Sequence, residues 1–358
     1  MSCYRELSND ILVKKSYTHC KNIFYKNSKS YFIGSCLFPL YKFKHICSIY
    51  SLLRVADDIV DKNHNDKKIK LKLFRNSLFE LIELSWEDIY RRVTKEIRFY
   101  NNEDKVLLAV TITIKELRID KVVFERFFNS MLMDLQNLEY KNINNLEIYM
   151  DGSAAVVGEI MLKIMDYDNK NGVNNYEIVD NNYTANEFSK LFPFCRSLGL
   201  AMQLTNFLRD IKEDLDMKPS RIYMTTNDLT TFNIDLKKID SIYTQPDLIY
   251  SISGGEEIEV IKNNFESFME YQIQRNIELY EYSDIGIDSL HIDDMKPVKL
   301  GRNLYSGILG KIRDNNYNVF HEKIRLSYWE KLNIIFNILD FNDIFYLIYN
   351  YMYYTFFL

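Results

Sequence analysis

The sequence predicts an all-α protein organised as one domain over residues 1–358. Three observations carry that expectation. Glycine and proline are scarce, 11 and 5 in 358 residues, so there are few tight turns and long helices are favoured over many short strands. Apolar residues make up 47 % of the chain, enough for a sizeable core that still encloses a cavity. Apolar side chains also recur at helical spacing over Lys42–Asp61, Leu73–Tyr90, Lys105–Leu117, Val122–Leu138, Ile148–Met165, Phe188–Leu215, Val260–Tyr282, Val298–Asn315 and Tyr328–Tyr349. Asp166–Ala185, rich in Asn, Asp and Tyr, and Ile234–Glu257, with Pro246 and Gly254-Gly255, read as surface insertions. No composition shift marks a second domain.

Charge and cysteine usage narrow the function classes. The net charge of −5 and the lack of a basic stripe argue against a nucleic-acid partner. The Lys-rich run Asp66–Lys72 reads as a solvated loop or helix start. Five cysteines (Cys3, Cys20, Cys36, Cys47, Cys195) show no paired metal spacing. They fit buried thiols in a reducing, cytoplasmic setting. Residues 1–30 are polar and mixed in charge, unlike a secretory signal. The 27 Tyr and 23 Phe read either as core filler or as a cavity wall whose ring faces stabilise cations.

The C-terminus, Ile344–Leu358, is almost wholly apolar and aromatic. At a rise of about 1.5 Å per residue it is too short to span a bilayer core of about 30 Å. It reads either as a buried terminal helix or as an interfacial foot that rests on a membrane surface, a depth that suits aromatic rings.

Two segments carry the chemistry. In IYSLLRVADDIVDK (Ile49–Lys62) a helix puts Ile49, Leu52, Leu53, Ala56 and Val60 on one face and Arg54, Asp57, Asp58 and Asp61 on the other. Asp57 and Asp61 stack one turn apart, and their mutual repulsion costs helix stability unless a cation sits there. In QLTNFLRDIKED (Gln203–Asp214) the apolar stripe is Leu204, Phe207, Leu208 and Ile211. The oxygen-bearing stripe is Gln203, Asn206, Asp210 and Asp214, with Arg209 beside it. One acidic face alone reads equally as a solvated surface. Two of them change the reading, because Mg²⁺ combines a few carboxylates with waters and substrate phosphates. Facing helices of this kind would hold a diphosphate through metal ions, with Arg54 and Arg209 on its oxygens. Neutralising a leaving diphosphate permits allylic C–O ionisation.

A third segment, YMDGSAAVVGE (Tyr149–Glu159), puts glycine where a helix is expected. Each helical glycine costs about 1 kcal/mol relative to alanine. Close helix approach is one compensation, and room for a long substrate chain is the other.

Taken in order, SKSYFIGSCLFP (Ser28–Pro39) leading into YSLLRVADDIVD, then FNSMLMDL (Phe128–Leu135), YMDGSAAVVGE, and LGLAMQLTNFLRDIKED (Leu198–Asp214) with SRIYM (Ser220–Met224) resemble the squalene/phytoene synthase family. The resemblance runs from about Tyr17 to Leu332, leaving 333–358 as an aromatic extension. It implies an isoprenoid synthase-type helical bundle around a central apolar cavity. It also implies that Asp57, Asp61, Asn206, Asp210 and Asp214 hold Mg²⁺, or Mn²⁺ in its place, with Arg209 acting beside them at the reacting centre. Ser28, Ser30 and Tyr31 match the N-terminal helix of the pocket. Arg54, Gln203, Arg221 and Tyr223 match positions near the diphosphates. Tyr305 matches a late tyrosine, and either Lys323 or Arg325 supplies a closing cation.

The chain departs from the family pattern at Ser220, at Met224-Thr225 and at Asp151, where several relatives carry tyrosine. The YM-x-GSA and SM-x-MDL runs look more like phytoene synthases than squalene synthases. Ser35, one turn after Tyr31, would leave length for a C20 chain. The expected reaction is then head-to-head condensation of two geranylgeranyl diphosphates to phytoene through prephytoene diphosphate, without NADPH. The alternatives are a C30 enzyme using farnesyl diphosphate, a non-catalytic relative acting as an assembly or binding protein, and a helical protein with merely solvated acidic faces. A membrane surface is an expected partner if the aromatic tail is a foot.

Overall fold

A computed structural model describes residues 7, 10–61, 66–96, 101–136, 139–168, 180–181, 184–247 and 255–356. The described residues are overwhelmingly helical, and the one extended pairing is a short antiparallel ribbon of β1 (Tyr167–Asp168) and β2 (Asp180–Asn181). Helices α1 (Ile11–Asn27), α2 (Lys29–Ser35), α3 (Leu40–Asp61) and α4 (Lys67–Glu83) are followed by the short α5 (Trp86–Arg91), then α6 (Asn102–Glu116) and α7 (Lys121–Asp134). After α8 (Ile143–Met150) a wider, π-type turn over Asp151–Ala155 leads into α9 (Val156–Asp166). The second half comprises α10 (Ala185–Arg209), α11 (Ile211–Asp216), α12 (Thr226–Thr231), α13 (Leu236–Thr244), α14 (Gly255–Ile287), α15 (Ile292–Asp314), α16 (Tyr328–Ile338) and α17 (Phe341–Phe356).

The periodic stretches are helical, but local hydrogen bonding cuts three of them. Leu73–Tyr90 breaks because the Ser85 hydroxyl accepts the Asp88 amide at 3.1 Å and starts a new helix. Tyr328–Tyr349 breaks at Leu339, whose backbone is extended, and Asp340 then accepts the Asp343 amide at 3.0 Å. Phe188–Leu215 is interrupted at Asp210, whose φ and ψ of −101° and 13° leave the helical range. The Val122 stretch ends its helix at Asp134, and Leu138 lies outside the described residues.

One expectation needs correction. Ile234–Glu257 is not wholly a surface insertion: it contains α13, capped by the Asp235 carboxylate and burying Leu236, Ile239 and Ile242. Residues 248–254 of that stretch lie outside the described residues, as does most of the Asp166–Ala185 stretch.

Two apolar clusters flank the centre. One joins α1–α4, α6, α7 and α9, with Phe24, Phe32, Phe43, Phe124 and Phe128 fully buried. The other joins α8 and α10–α15 around Phe265, Phe268 and Tyr280. The glycines of the third motif explain how α9 fits between its neighbours. A Cβ on Gly152 would lie 2.2 Å from the Arg126 carbonyl oxygen, and one on Gly158 would lie 2.1 Å from the Cys195 carbonyl oxygen. Close backbone approach to α7 and α10 is therefore their reason. Asp151, where the chain departs from the family pattern, chelates Arg126 (2.6 and 2.7 Å) and also pairs with Arg196, while Glu159 pairs with both arginines. This four-charge cluster ties α7, α9 and α10 together beside the glycines.

On the other side of α9, Lys42 of α3 and Asp294 of α15 form a buried pair at 2.8 Å, with the Met165 carbonyl as the ammonium's further acceptor at 2.9 Å. Cys20, Cys36 and Cys47 are buried free thiols and Cys195 is half-buried, while Cys3 lies outside the described residues.

Candidate active site

Six helices enclose one apolar cavity of about 360 Å³. Ile46, Ile49, Tyr50 and Leu53 line it from α3, and Leu191, Leu198, Gly199 and Met202 from α10. Val157, Gly158, Met161 and Met165 come from α9, and the remaining wall from α2, the C-terminal end of α14 and α15. The two acidic motifs follow directly on these linings: Asp57 is one turn beyond Leu53, and Asn206 one turn beyond Met202. From Ile46 to Asp57 is eleven helical steps, so the greasy wall runs about 16 Å before it meets carboxylate. An apolar chain with a charged head fits such a chamber in one direction only, head at the carboxylate end.

At that end the two faces meet through a bridging cation. The Arg221 guanidinium, in the segment after α11, donates to Asp61 of α3 at 2.9 Å, and the Arg221 amide donates to the Asp214 carbonyl at 2.8 Å. Although Asp210 leaves helical geometry, its amide still bonds Asn206 (2.8 Å) and its carbonyl accepts the Asp214 amide (2.9 Å), so the oxygen stripe continues across the break. Asp210 is held by Arg209 (2.5 Å) and by Lys323 (3.1 Å), while Arg54 reaches Asp58 at 2.6 Å. Of the two closing cations proposed from sequence, Lys323 stands at the acidic face and Arg325 is exposed.

The tyrosines complete the roof. Tyr31 and Tyr305 stack with centroids 4.9 Å apart, and Tyr305 also interacts with Tyr50 and Arg209. The Tyr50 hydroxyl bonds Ser28, which places Ser28 at the rim. Ser30 and Ser35 line the cavity. Gln203 accepts a long bond from the Asn206 amide at 3.4 Å.

Three residues that carried no role in the sequence reading stand in this site. Asp134, at the end of α7, accepts the Tyr149 and Tyr223 hydroxyls at 3.0 Å each. Behind it Tyr223 stacks on Phe207 at 4.3 Å, and Tyr140 and Tyr149 extend the aromatic wall. The signal was present: FNSMLMDL ends in this aspartate and YMDGSAAVVGE begins with Tyr149, yet both blocks were read for resemblance rather than for side chains.

Burial and crowding of like charge lift these acids. Burial, then the neighbouring Asp61, pushes the Asp57 carboxyl up to about 7 against the pull of Arg54. Burial, then Asp210, pushes Asp214 up to about 8. Burial raises Asp134 to about 6, with Arg221 and the two tyrosine hydroxyls holding it down. A site that raises several carboxyls in this way is deficient in positive charge.

The donors fit a divalent cation on two counts. The Asn206 side-chain oxygen is buried with no hydrogen-bond partner, an acceptor left for a ligand. The Asp57 and Asp214 carboxyls repel their neighbours in a way that a cation would relieve. Among the described residues no three His, Cys, Asp or Glu side chains cluster into a ready cage. Mg²⁺ held by one or two carboxylates, waters and substrate phosphates needs none.

A helical chamber of this shape, greasy along its length and acidic at one end, defines a class: enzymes that transfer prenyl chains. The squalene/phytoene synthase family model matches residues 25–330, and the chain belongs to that family; it is a prenyltransferase. It is 27 % identical over 320 residues to a 15-cis-phytoene synthase of Synechocystis sp., covering 89 % of this chain and 83 % of that one. To a phytoene synthase of Arthrospira platensis it is 27 % identical over 317 residues, covering 88 % and 90 %. A solved dehydrosqualene synthase superposes with a TM-score of 0.69 at 20 % identity, over 91 % of this chain and 96 % of that one. A squalene synthase from Alicyclobacillus acidocaldarius does so with 0.61 at 18 %, over 87 % and 98 %. The all-α isoprenoid synthase fold is thereby shown.

Proposed function

We propose that the protein condenses two geranylgeranyl diphosphates head to head, giving phytoene through prephytoene diphosphate and releasing both diphosphates. The observation that carries the reading is the pair of carboxylate faces, on α3 and on α10–α11, at the head of one apolar chamber. Asp57 and Asp61 on one side, with Asn206, Asp210 and Asp214 on the other, would hold Mg²⁺. When bound, the metal neutralises the leaving diphosphate.

The chain's own groups do the rest. Arg54, Arg209, Arg221 and Lys323 are paired with carboxylates in the free protein (Arg54 with Asp58, Arg221 with Asp61, Arg209 and Lys323 with Asp210). They exchange those partners for diphosphate oxygens, which match the guanidinium fork. The Tyr31–Tyr305 stack and Tyr50 face the chain next to its head, where allylic cations form, and their ring quadrupoles stabilise positive charge. The Met, Leu and Ile walls keep water from those cations. Gly34 and Ser35 line the cavity beyond Tyr31, and their small side chains support a C20 chain over a C15 one. Reduction is not part of this reaction, so NADPH is not expected.

The test is incubation with labelled geranylgeranyl diphosphate or farnesyl diphosphate and Mg²⁺, without NADPH, followed by mass analysis of the extracted hydrocarbon. A C40 product from the C20 substrate is expected. Consumption of farnesyl diphosphate alone would assign the protein to the C30 branch. Consumption of neither would support a non-catalytic role.

A further inference from the structure

Helix α17 is the least protein-like surface of the molecule. Its inner stripe is firmly seated: Leu347, Asn350 and Tyr354 are buried. The Asn350 amide donates to the Cys36 carbonyl at 2.8 Å, the Tyr354 hydroxyl donates to the Phe38 carbonyl at 3.1 Å, and the Tyr354 ring stacks on Phe43 at 4.3 Å. Its outer face is as apolar as its inner one. Phe345 is 58 % exposed, Tyr349 65 % and Phe356 72 %, with Ile348, Met352 and Tyr353 beside them. Ile344–Phe356 contains no charged residue. On α16 Trp329 stands 76 % exposed, and half of the strongly exposed large apolar side chains among the described residues fall within Tyr328–Phe356. A buried terminal helix, one of the two expectations from sequence, accounts only for the inner stripe.

We infer that α16 and α17 form a foot that seats the enzyme on a lipid bilayer surface, with α17 lying in the plane of the interface. Three observations favour lipid over a protein partner. A water-facing helix carries polar residues on its outer face, and a protein interface adds directional polar pairs and a polar rim. The outer face of α17 offers only tyrosine hydroxyls. Its rings are of the kinds that settle at headgroup depth. The foot also lies against the chamber: Cys36 and Phe38, which α17 grips, belong to the bend between α2 and α3, where Gly34, Ser35 and Phe38 line the cavity.

A wholly hydrocarbon product has no favourable path into water. A foot beside the cavity wall brings the bilayer to within a helix thickness of it. That last point rests on the proposed prenyl condensation; the docking itself does not. No described helix is long and apolar enough to cross a membrane, so the contact is peripheral. The charged end of the foot is pinned to the body, since Lys296 bonds Asp343 at 2.6 Å and Asp340 at 3.3 Å.

The experiment is flotation of the full-length protein with phosphatidylcholine vesicles in the absence of substrate, beside the double variant Phe345→Ser/Tyr349→Ser. Both altered side chains face outward and touch neither cavity nor acidic face, so turnover of detergent-dispersed substrate should be unchanged. The intact protein is expected to float with the vesicles, and the variant to bind about 100-fold more weakly through loss of two ring burials. Equal flotation of the two proteins would overturn the proposal. So would an intact protein that ignores vesicles but sediments as a dimer which the variant splits, because the face would then belong to a second copy. Flotation is read without turnover, so its failure is separable from failure of the product assay.

Discussion

Replacing Asp210 by Asn is expected to lower turnover by about 10²- to 10³-fold, the scale seen when one preorganised electrostatic contact to developing charge is lost. The far-UV spectrum should be unchanged. The reasoning is geometric. Asp210 sits where α10 gives way to α11, between Asn206 and Asp214 on one oxygen stripe, with Arg209 and Lys323 on its carboxylate. The amide keeps the shape and leaves the backbone bonds to Asn206 and Asp214 intact, but removes the charge. Asp57→Asn, on the opposite face, should behave alike for the same reason. Single-turnover rates at saturating Mg²⁺ and substrate are the measurement, because they separate chemistry from product release. Normal activity in either variant would remove the metal assignment.

The largest expected effect on stability lies away from the chemistry. Asp294→Ala should cost about 3–5 kcal/mol, because it leaves the Lys42 ammonium buried with only a carbonyl for company. The side chains of that pair are 2 % and 1 % exposed, so water cannot replace the lost partner. The double variant Lys42→Met/Asp294→Leu should recover most of the loss, since it removes both charges and keeps the volume. Urea unfolding midpoints of the two variants test this. Equal losses in single and double variants would mean that shape, and not charge, fixes α3 against α15.

The acidic faces were legible because a 3.6-residue period turns spacing into position. Asp57 and Asp61 share a face whatever surrounds the helix, and so do Gln203 and Asn206. Helix existence was legible for the same reason. Boundaries were not, because Ser85, Asp210 and Asp340 end helices by local bonds or dihedrals that periodicity does not register. Helix α13 was passed over because three buried side chains, Leu236, Ile239 and Ile242, are too short a pattern beside a Pro- and Gly-bearing stretch.

Within the site, Asp134 was out of reach for a different reason. Its partners Tyr149 and Tyr223 lie 15 and 89 residues away, and only tertiary packing brings three such groups together. The choice between Lys323 and Arg325 was likewise open in sequence. Two positions apart in extended chain, they point to opposite sides, and only the path of the backbone past Asp210 decides which one meets it. Asp151 looked like a pocket change in sequence. Its pairing with Arg126 and Arg196 makes it part of the frame.

The central claim is that two carboxylate faces crowd one another at the head of the chamber until a divalent cation joins them. Asp134, Asp57 and Asp214 have carboxyls raised to about 6, 7 and 8. A carboxyl whose pKa is higher in the folded chain binds its proton more tightly there. Its stabilising contribution is therefore full below about pH 4, the unfolded value, and is lost as pH rises through the folded ones.

The measurement is the melting temperature of the metal-free protein from about pH 5 to about pH 9, with and without Mg²⁺ and inorganic diphosphate. The expected result is a melting temperature that falls between pH 6 and 8 in the metal-free protein, falls less in Asp57→Asn, and is restored at the alkaline end by Mg²⁺ with diphosphate. A flat profile that neither ion changes would contradict it.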